Sequence, residues 1–234
     1  MADSALVESR LNRKSTAEHV ANALREQLLQ GRYSPGSRLP EDEIARALGV
    51  SRNSVREGLQ ILASEGLVQR SLHRGAVASE LNAADLADVY QARRIIEISS
   101  LRAGMRSKNE WQQTIVRAVR DMEQAVAAND LPALLEADRG FHEGITAGSH
   151  SQRIARFYRN LQTEIRLTRT WKGERQPPEI FLARHREVAD AIEAGDLTRA
   201  EELLTKMIDD GERRVRDGLN GLSSEAVEVG GANR

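Results

Sequence analysis

The chain has 234 residues, 40% hydrophobic and 29% charged, with 34 Lys/Arg against 35 Asp/Glu for a formal net charge of −1. That length suits one large domain or two modest ones, and the lack of cysteine excludes disulfides and thiolate metal sites. No apolar run reaches the roughly 20 residues of a membrane helix, and the N-terminal MADSALVESRLNRK has no apolar core like a secretory signal, so the expected location is cytoplasmic, away from membranes.

Residues 1–14 lack periodicity and read as a flexible arm. The spacing of Val20, Leu24 and Leu28 predicts a helix over Thr16–Leu29, stopped by Gly31 and the Pro/Gly turn GRYSPGSRLP. A short helix over Glu41–Leu48 turns Ile44, Ala45 and Leu48 inward, and Gly49 allows a sharp turn. Ser51 can cap the next helix, which runs to about Ser64 with Val55, Leu59 and Leu62 inward and ends at Gly66. LVQRS and AVASE then alternate like short strands around Leu72-His73-Arg74-Gly75.

From Asn82 onward every segment has a helical period, predicting helices over 83–106, 109–128, 131–147, 151–171, 178–194 and 196–218. Asn82 with Asp85 has the form of an N-cap pair, and Gly104, Asn129-Asp130, Gly148 and Gly195-Asp196 punctuate the series. The fold class is therefore mainly α. An N-terminal winged helix-turn-helix over 15–80 precedes a C-terminal all-α helical bundle over 81–219, and residues 220–234, poor in large apolar groups, read as a disordered tail.

Two short helices about a glycine turn, followed by a basic hairpin, form a DNA-reading pattern. The second helix of such a unit lies in the major groove and reads base edges with its N-terminal residues. Here these are Ser51, Arg52, Asn53, Ser54 and Arg56. Arg52 and Arg56 share a face, and each can pair bidentately with guanine for about 1–3 kcal/mol of discrimination. Asn53 suits adenine, and the serines suit phosphate or bases. His73, Arg74 and Gly75 form the hairpin tip, where a glycine permits close approach and a cation can enter a minor groove. From Arg10 to Gly75 there are 11 Lys/Arg and 7 Asp/Glu, a local charge of +4 that the overall −1 conceals. Any one of these arginines alone is better explained as an ordinary exposed helix residue; the joint pattern carries the reading.

PGSRLPEDEIARALGVSR, VREGLQILASEGLV and HRGA together resemble the winged helix-turn-helix of GntR-family bacterial transcription regulators over about Thr16–Ala78. Asn53-Ser54 departs from the Thr-Pro or Thr-Thr common in that family, at positions that face DNA, which implies a different operator sequence.

In the helical region Asp138 and His142 are four residues apart on one face, and His185 lies on a later helix. A bundle can bring such groups together, and a carboxylate with imidazoles suits zinc, nickel or manganese. A lone helical histidine is more often a surface or hydrogen-bonded residue. VYQARRIIE, DRGFH and HREVADAIEAGD resemble the FCD effector domain of the FadR branch of GntR regulators, over about Asp85–Val215. That resemblance implies a dimeric bundle with a cavity for a small effector, often an organic acid, and a divalent metal held by one Asp and three His. Asp138, His142 and His185 match the first three ligands. The third His falls at Met207, whose thioether is a poor ligand for these ions. Arg93 matches a cavity arginine that can clamp a carboxylate; its plain alternative is an ion pair with Glu97.

The expected function is a dimeric regulator that is not an enzyme. It would bind a pseudo-palindromic double-stranded DNA operator and respond to a small carboxylate effector at Arg93, Asp138, His142 and His185, with repression the commoner sign. The alternatives are a metal-dependent hydrolase built on the helical domain and a winged helix that binds protein.

Overall fold

Ser15 opens the first helix. Its hydroxyl accepts from the Glu18 amide while the Glu18 carboxylate accepts from the Ser15 amide, a capping box that satisfies two otherwise orphaned donors. The computed structural model describes the backbone of residues 15–71, 74–107, 111–172 and 177–231 and, within these, the side chains of all but 168–172 and 219–231. The chain divides into two compact units, Met1–Glu80 and Leu81–Arg234.

In the first unit, α1 (Thr16–Leu29) buries Val20, Leu24 and Leu28, and Gly31 follows it at φ 72°. Helix α2 (Glu41–Leu48) begins after Pro40 with Glu41, Asp42 and Glu43 in its first turn, where negative charge favours the helix N-terminus. Gly49, at φ 65°, ends it in the left-handed conformation that other side chains resist. Helix α3 (Arg52–Ser64) starts at Ser51, whose Oγ accepts from the Ser54 amide at 3.1 Å. Val55, Leu59 and Leu62 are fully buried, and α1 crosses α3 so closely at Gly58 that a Cβ there would lie 2.8 Å from Val20 Cγ1. Strands β1 (Val68–Ser71) and β2 (Gly75–Ala78) pair antiparallel from Val68–Ala78 to Ser71–Gly75, with Arg38 bridged to Val77. Ile44 and Ala45 are buried as expected, but Leu48 is 36% exposed. It stands at the end of a helix only eight residues long, of which Ile44 and Ala45 are the buried residues.

The second unit holds α4 (Ala83–Arg106), α5 (Gln112–Ala127), α6 (Leu131–Ala147), α7 (Gln152–Lys172), α8 (Pro178–Glu193) and α9 (Leu197–Gly231). Asn82 and Asp85 form the anticipated capping box, and Asp130 caps α6 through the Ala133 amide. Helix α4 packs on α6, α7 and α9, while α8 packs on α5 and α9. Tyr90, Leu101, Ile115, Met122, Phe141, Ile145, Val188 and Ile208 lie at the centre of one continuous core.

Two expectations for the helical unit change. Gly104 does not punctuate: it lies inside α4, where the Trp111 ring presses so close that a Cβ would meet Trp111 Cε2 at 2.5 Å. Helix α9 continues to Gly231, where the sequence reading placed a disordered tail from residue 220. No proline interrupts SSEAVEV, and one Gly221 costs only about 1 kcal/mol in a helix. Among the described residues, no helix is long and apolar enough to cross a membrane.

Candidate DNA-reading face and buried Asp–His–His centre

The reading end of α3 is exposed, as a DNA-contacting end must be. Arg52 is 67% exposed in its side chain, with Nε 2.8 Å from Asp42 Oδ1. Arg56 Nε donates to Glu41 Oε2 at 2.7 Å, and this hydrogen bond and charge raise the guanidinium pKa further. Asn53 Nδ2 donates to Glu57 Oε1 at 2.7 Å. The Ser51 and Ser54 hydroxyls lie 2.9 Å apart, and the former also caps the helix, so both are tied to local geometry. At the hairpin Arg74 and Gly75 are exposed, Gly75 at φ 73° with nothing near its Cα that a side chain would meet. His73 lies outside the described residues.

The three acidic partners were not anticipated. Glu57 was accessible from its spacing of four from Asn53. Asp42 and Glu41 were not, because only the crossing of α2 over α3 brings them to residues ten and fifteen positions later.

In the helical unit, Asp138 and His142 on α6 meet His185 on α8. All three are buried, and their ligand atoms lie within 4.8 Å of one another. His185 Nδ1 is 2.7 Å from the Phe181 carbonyl oxygen, which only accepts, so Nδ1 carries the proton. Its Nε2, 3.0 Å from Asp138 Oδ1, is then a lone pair facing a carboxylate. Burial pushes the His185 pKa down, against the opposing pull of Asp138, and so favours that neutral ring. His142 repeats the pattern. Its Nδ1 is 2.8 Å from Glu97 Oε2, leaving Nε2 as the acceptor, 3.4 Å from Asp138 Oδ1. Three acceptors thus converge, each imidazole oriented by a hydrogen bond from its other nitrogen, an arrangement that suits a cation. The donor set fits a divalent metal, with two imidazoles and one carboxylate. Phe141 sets its edge against both rings and Phe181 lies 4.4 Å from His185, so aromatic rings cover that side of the centre.

Arg93 joins this centre but not as a free cation. Its Nε donates to Glu97 Oε1 at 2.6 Å and its Nη2 to His142 Nε2 at 2.7 Å. Tyr158 also donates to Glu97 Oε1. Burial alone would raise the Glu97 carboxyl, but Arg93 and His142 hold it down at about 2. Glu97 and Tyr158 are the members that sequence reasoning did not place here. Glu97 entered only as an alternative partner of Arg93, and no spacing signals Tyr158, which arrives on α7. Met207 is buried on α9 among core residues and also borders a cleft of about 360 Å³ with Arg184, Lys206 and Asp210.

The model of the gntR family of bacterial regulatory proteins matches residues 16–77, and that of the FCD domain matches residues 88–210. The chain belongs to the GntR family. An HTH-type transcriptional regulator from an unstable DNA locus of Streptomyces ambofaciens is 31% identical over 93% of this chain and 91% of its own length. The galactonate operon transcriptional repressor of Escherichia coli K12 is 26% identical over 86% and 96%. A GntR transcriptional regulator from Rhodococcus sp. RHA1 has a solved structure that superimposes with a TM-score of 0.74, at 29% identity, over 86% of this chain and 98% of that one. This GntR protein is a DNA-binding transcription regulator with an FCD domain, not an enzyme.

Proposed function

We propose that this GntR regulator is a homodimeric repressor whose hold on a pseudo-palindromic operator is set by a small carboxylate bound in the helical unit beside a divalent metal. The observation that carries the effector half is the pair of oriented imidazoles. Each uses Nδ1 on a neighbouring oxygen and turns Nε2 toward Asp138, and the donor that meets His142 Nε2 is Arg93 Nη2, in the place an ion would take. Asp138, His142 and His185 would hold zinc, nickel or manganese, and the ion would supply a Lewis-acidic seat for a carboxylate. Met207, standing where the family resemblance puts a third histidine, leaves one more coordination position to water or the effector. Arg93 lies beside that point with one nitrogen on His142, and it can turn this donor to an incoming carboxylate while Nε keeps Glu97.

In the winged unit, Arg52, Asn53 and Arg56 would read bases, Ser51 and Ser54 would face phosphate or base edges, and His73, Arg74 and Gly75 would enter the adjacent groove. Exposed Ile95 on α4 (60%) with Ile154 and Phe157 (59%) on the adjoining α7 supports a self-association face in the helical unit. The galactonate operon repressor among the relatives supports both the sign of control and sugar acids as first probes.

The test is elemental analysis of the purified protein, followed by mobility shift on the DNA upstream of its own gene with zinc, with chelator and with D-galactonate or other hydroxy acids. Bound metal and a shift weakened by one acid class support the reading. A metal-free protein that takes up none of the three ions, and whose DNA binding no acid alters, would overturn it.

A further inference from the structure

The reading face of α3 is nearly neutral where a DNA-binding surface is expected to be positive. Arg52 faces Asp42, Arg56 faces Glu41, and Asn53 is held by Glu57. Two of these acids, with Glu43, fill the first turn of α2. An acidic helix start repels phosphate instead of attracting it, so α2 gives up the anion-binding role that a helix N-terminus can play. Apart from the partly buried Glu41 these side chains are exposed, and exposed ion pairs contribute little to folding.

The two arginine contacts share one geometry. In each arginine the nearest nitrogen to the carboxylate is Nε, at 2.8 Å and 2.7 Å, which leaves the two terminal nitrogens as the outward edge. That edge can pair with O6 and N7 of one guanine. Asn53 gives one Nδ2 hydrogen to Glu57, and the other remains for adenine N7 while Oδ1 accepts from N6.

We propose that Asp42 and Glu41 are specificity-determining residues of the DNA interface. They fix Arg52 and Arg56 by the Nε edge and present only the guanine-matching edge to the groove. On a wrong sequence the arginines would turn to phosphates, as flexible cations do. The carboxylates oppose that turn twice, by holding the guanidinium and by repelling the backbone. Non-specific binding, which rests on phosphate contacts, is therefore suppressed more than operator binding. This inference rests on the proposed reading role of α3.

The test uses the full chain with D42N, E41Q and E43Q, the last removing a charge from the same helix turn at a residue that pairs with neither arginine. Preferred duplexes are first selected from a random 30-base-pair library with the wild-type protein. Fluorescence anisotropy then compares a selected duplex with an unrelated one at several salt concentrations. Relative to E43Q, D42N and E41Q are expected to tighten binding to the unrelated duplex by about 3–10-fold and to lower the selected-to-unrelated ratio by a similar factor. Renewed selection with D42N is expected to relax one symmetric pair of positions. An equal change of the ratio in all three variants, or no change in any, overturns the proposal. R52A separates the two levels. If R52A loses the preference while D42N and E41Q keep it, only the role of the acids falls; if R52A also keeps it, the reading helix itself is misassigned.

Discussion

Glu97 is fully buried and accepts from Arg93, His142 and Tyr158, three side chains that are themselves buried. Glu97→Gln keeps the volume but removes the carboxylate that pairs with Arg93 Nε, leaving a guanidinium charge in the bundle interior without that counter-ion. Breaking such a pair from one side costs about 3–5 kcal/mol, because the remaining charge stays desolvated. For a unit of this size that corresponds to a fall in melting temperature of roughly 6–20 °C. Both tryptophans, Trp111 and Trp171, follow Glu80 in the chain, so tryptophan fluorescence reports the helical unit alone. Urea and thermal melts followed in this way give the cost directly. Arg93→Met combined with Glu97→Gln removes both charges and should recover about 1–3 kcal/mol of the loss. A single Glu97→Gln variant within 1 kcal/mol of the parent, or a double variant as unstable as the sum of the singles, would refute the argument that this ion pair is desolvated and mutually dependent.

Arg52→Ala is expected to lower operator affinity by at least about 5-fold, and up to about 100-fold for a full bidentate guanine contact. The melt followed by far-ultraviolet circular dichroism, which includes the winged unit, should be unchanged because Arg52 is an exposed residue; unchanged affinity in anisotropy would count against its reading role. Gly104→Ala gains at most about 1 kcal/mol in helix propensity but drives a methyl into the Trp111 ring, so a net loss of about 1–3 kcal/mol is expected in the fluorescence melt. Met207→His should raise the zinc retained through gel filtration, measured by elemental analysis; equal metal in the two proteins would show that position 207 does not reach the centre. His185→Ala should abolish retained zinc while leaving binding to a selected duplex measurable, and a full complement of metal in that variant would remove His185 from the ligand set.

Local signals in the sequence were reliable where a single residue decides the backbone. Ser51, Gly49 and the Asn82–Asp85 pair each solve a terminus problem within four residues, and the helices begin and end there. The Asp138–His142 pairing was equally readable, since a spacing of four fixes a face. What could not be read depends on which helices touch. Tyr158 reaches Glu97 from 61 residues away, and Asp42 reaches Arg52 only because α2 lies across the start of α3. Gly104 illustrates the opposite error. A glycine in a helical pattern reads as a stop, yet here it makes room for a tryptophan that no periodicity locates. Leu48 was assigned inward from its period alone, which cannot tell where a short helix runs out of partners.

The donors of the buried centre are divided between helices, two on α6 and one on α8. An ion held there is a cross-link, and it ties together two segments that the chain brings into register only on folding. Its affinity is therefore part of the unit's resistance to unfolding, which grows by about 1.4 kcal/mol for each tenfold rise in free metal above the dissociation constant. A melting curve recorded by Trp111 at graded metal concentrations would then serve as a binding isotherm, obtained with neither operator nor effector in hand.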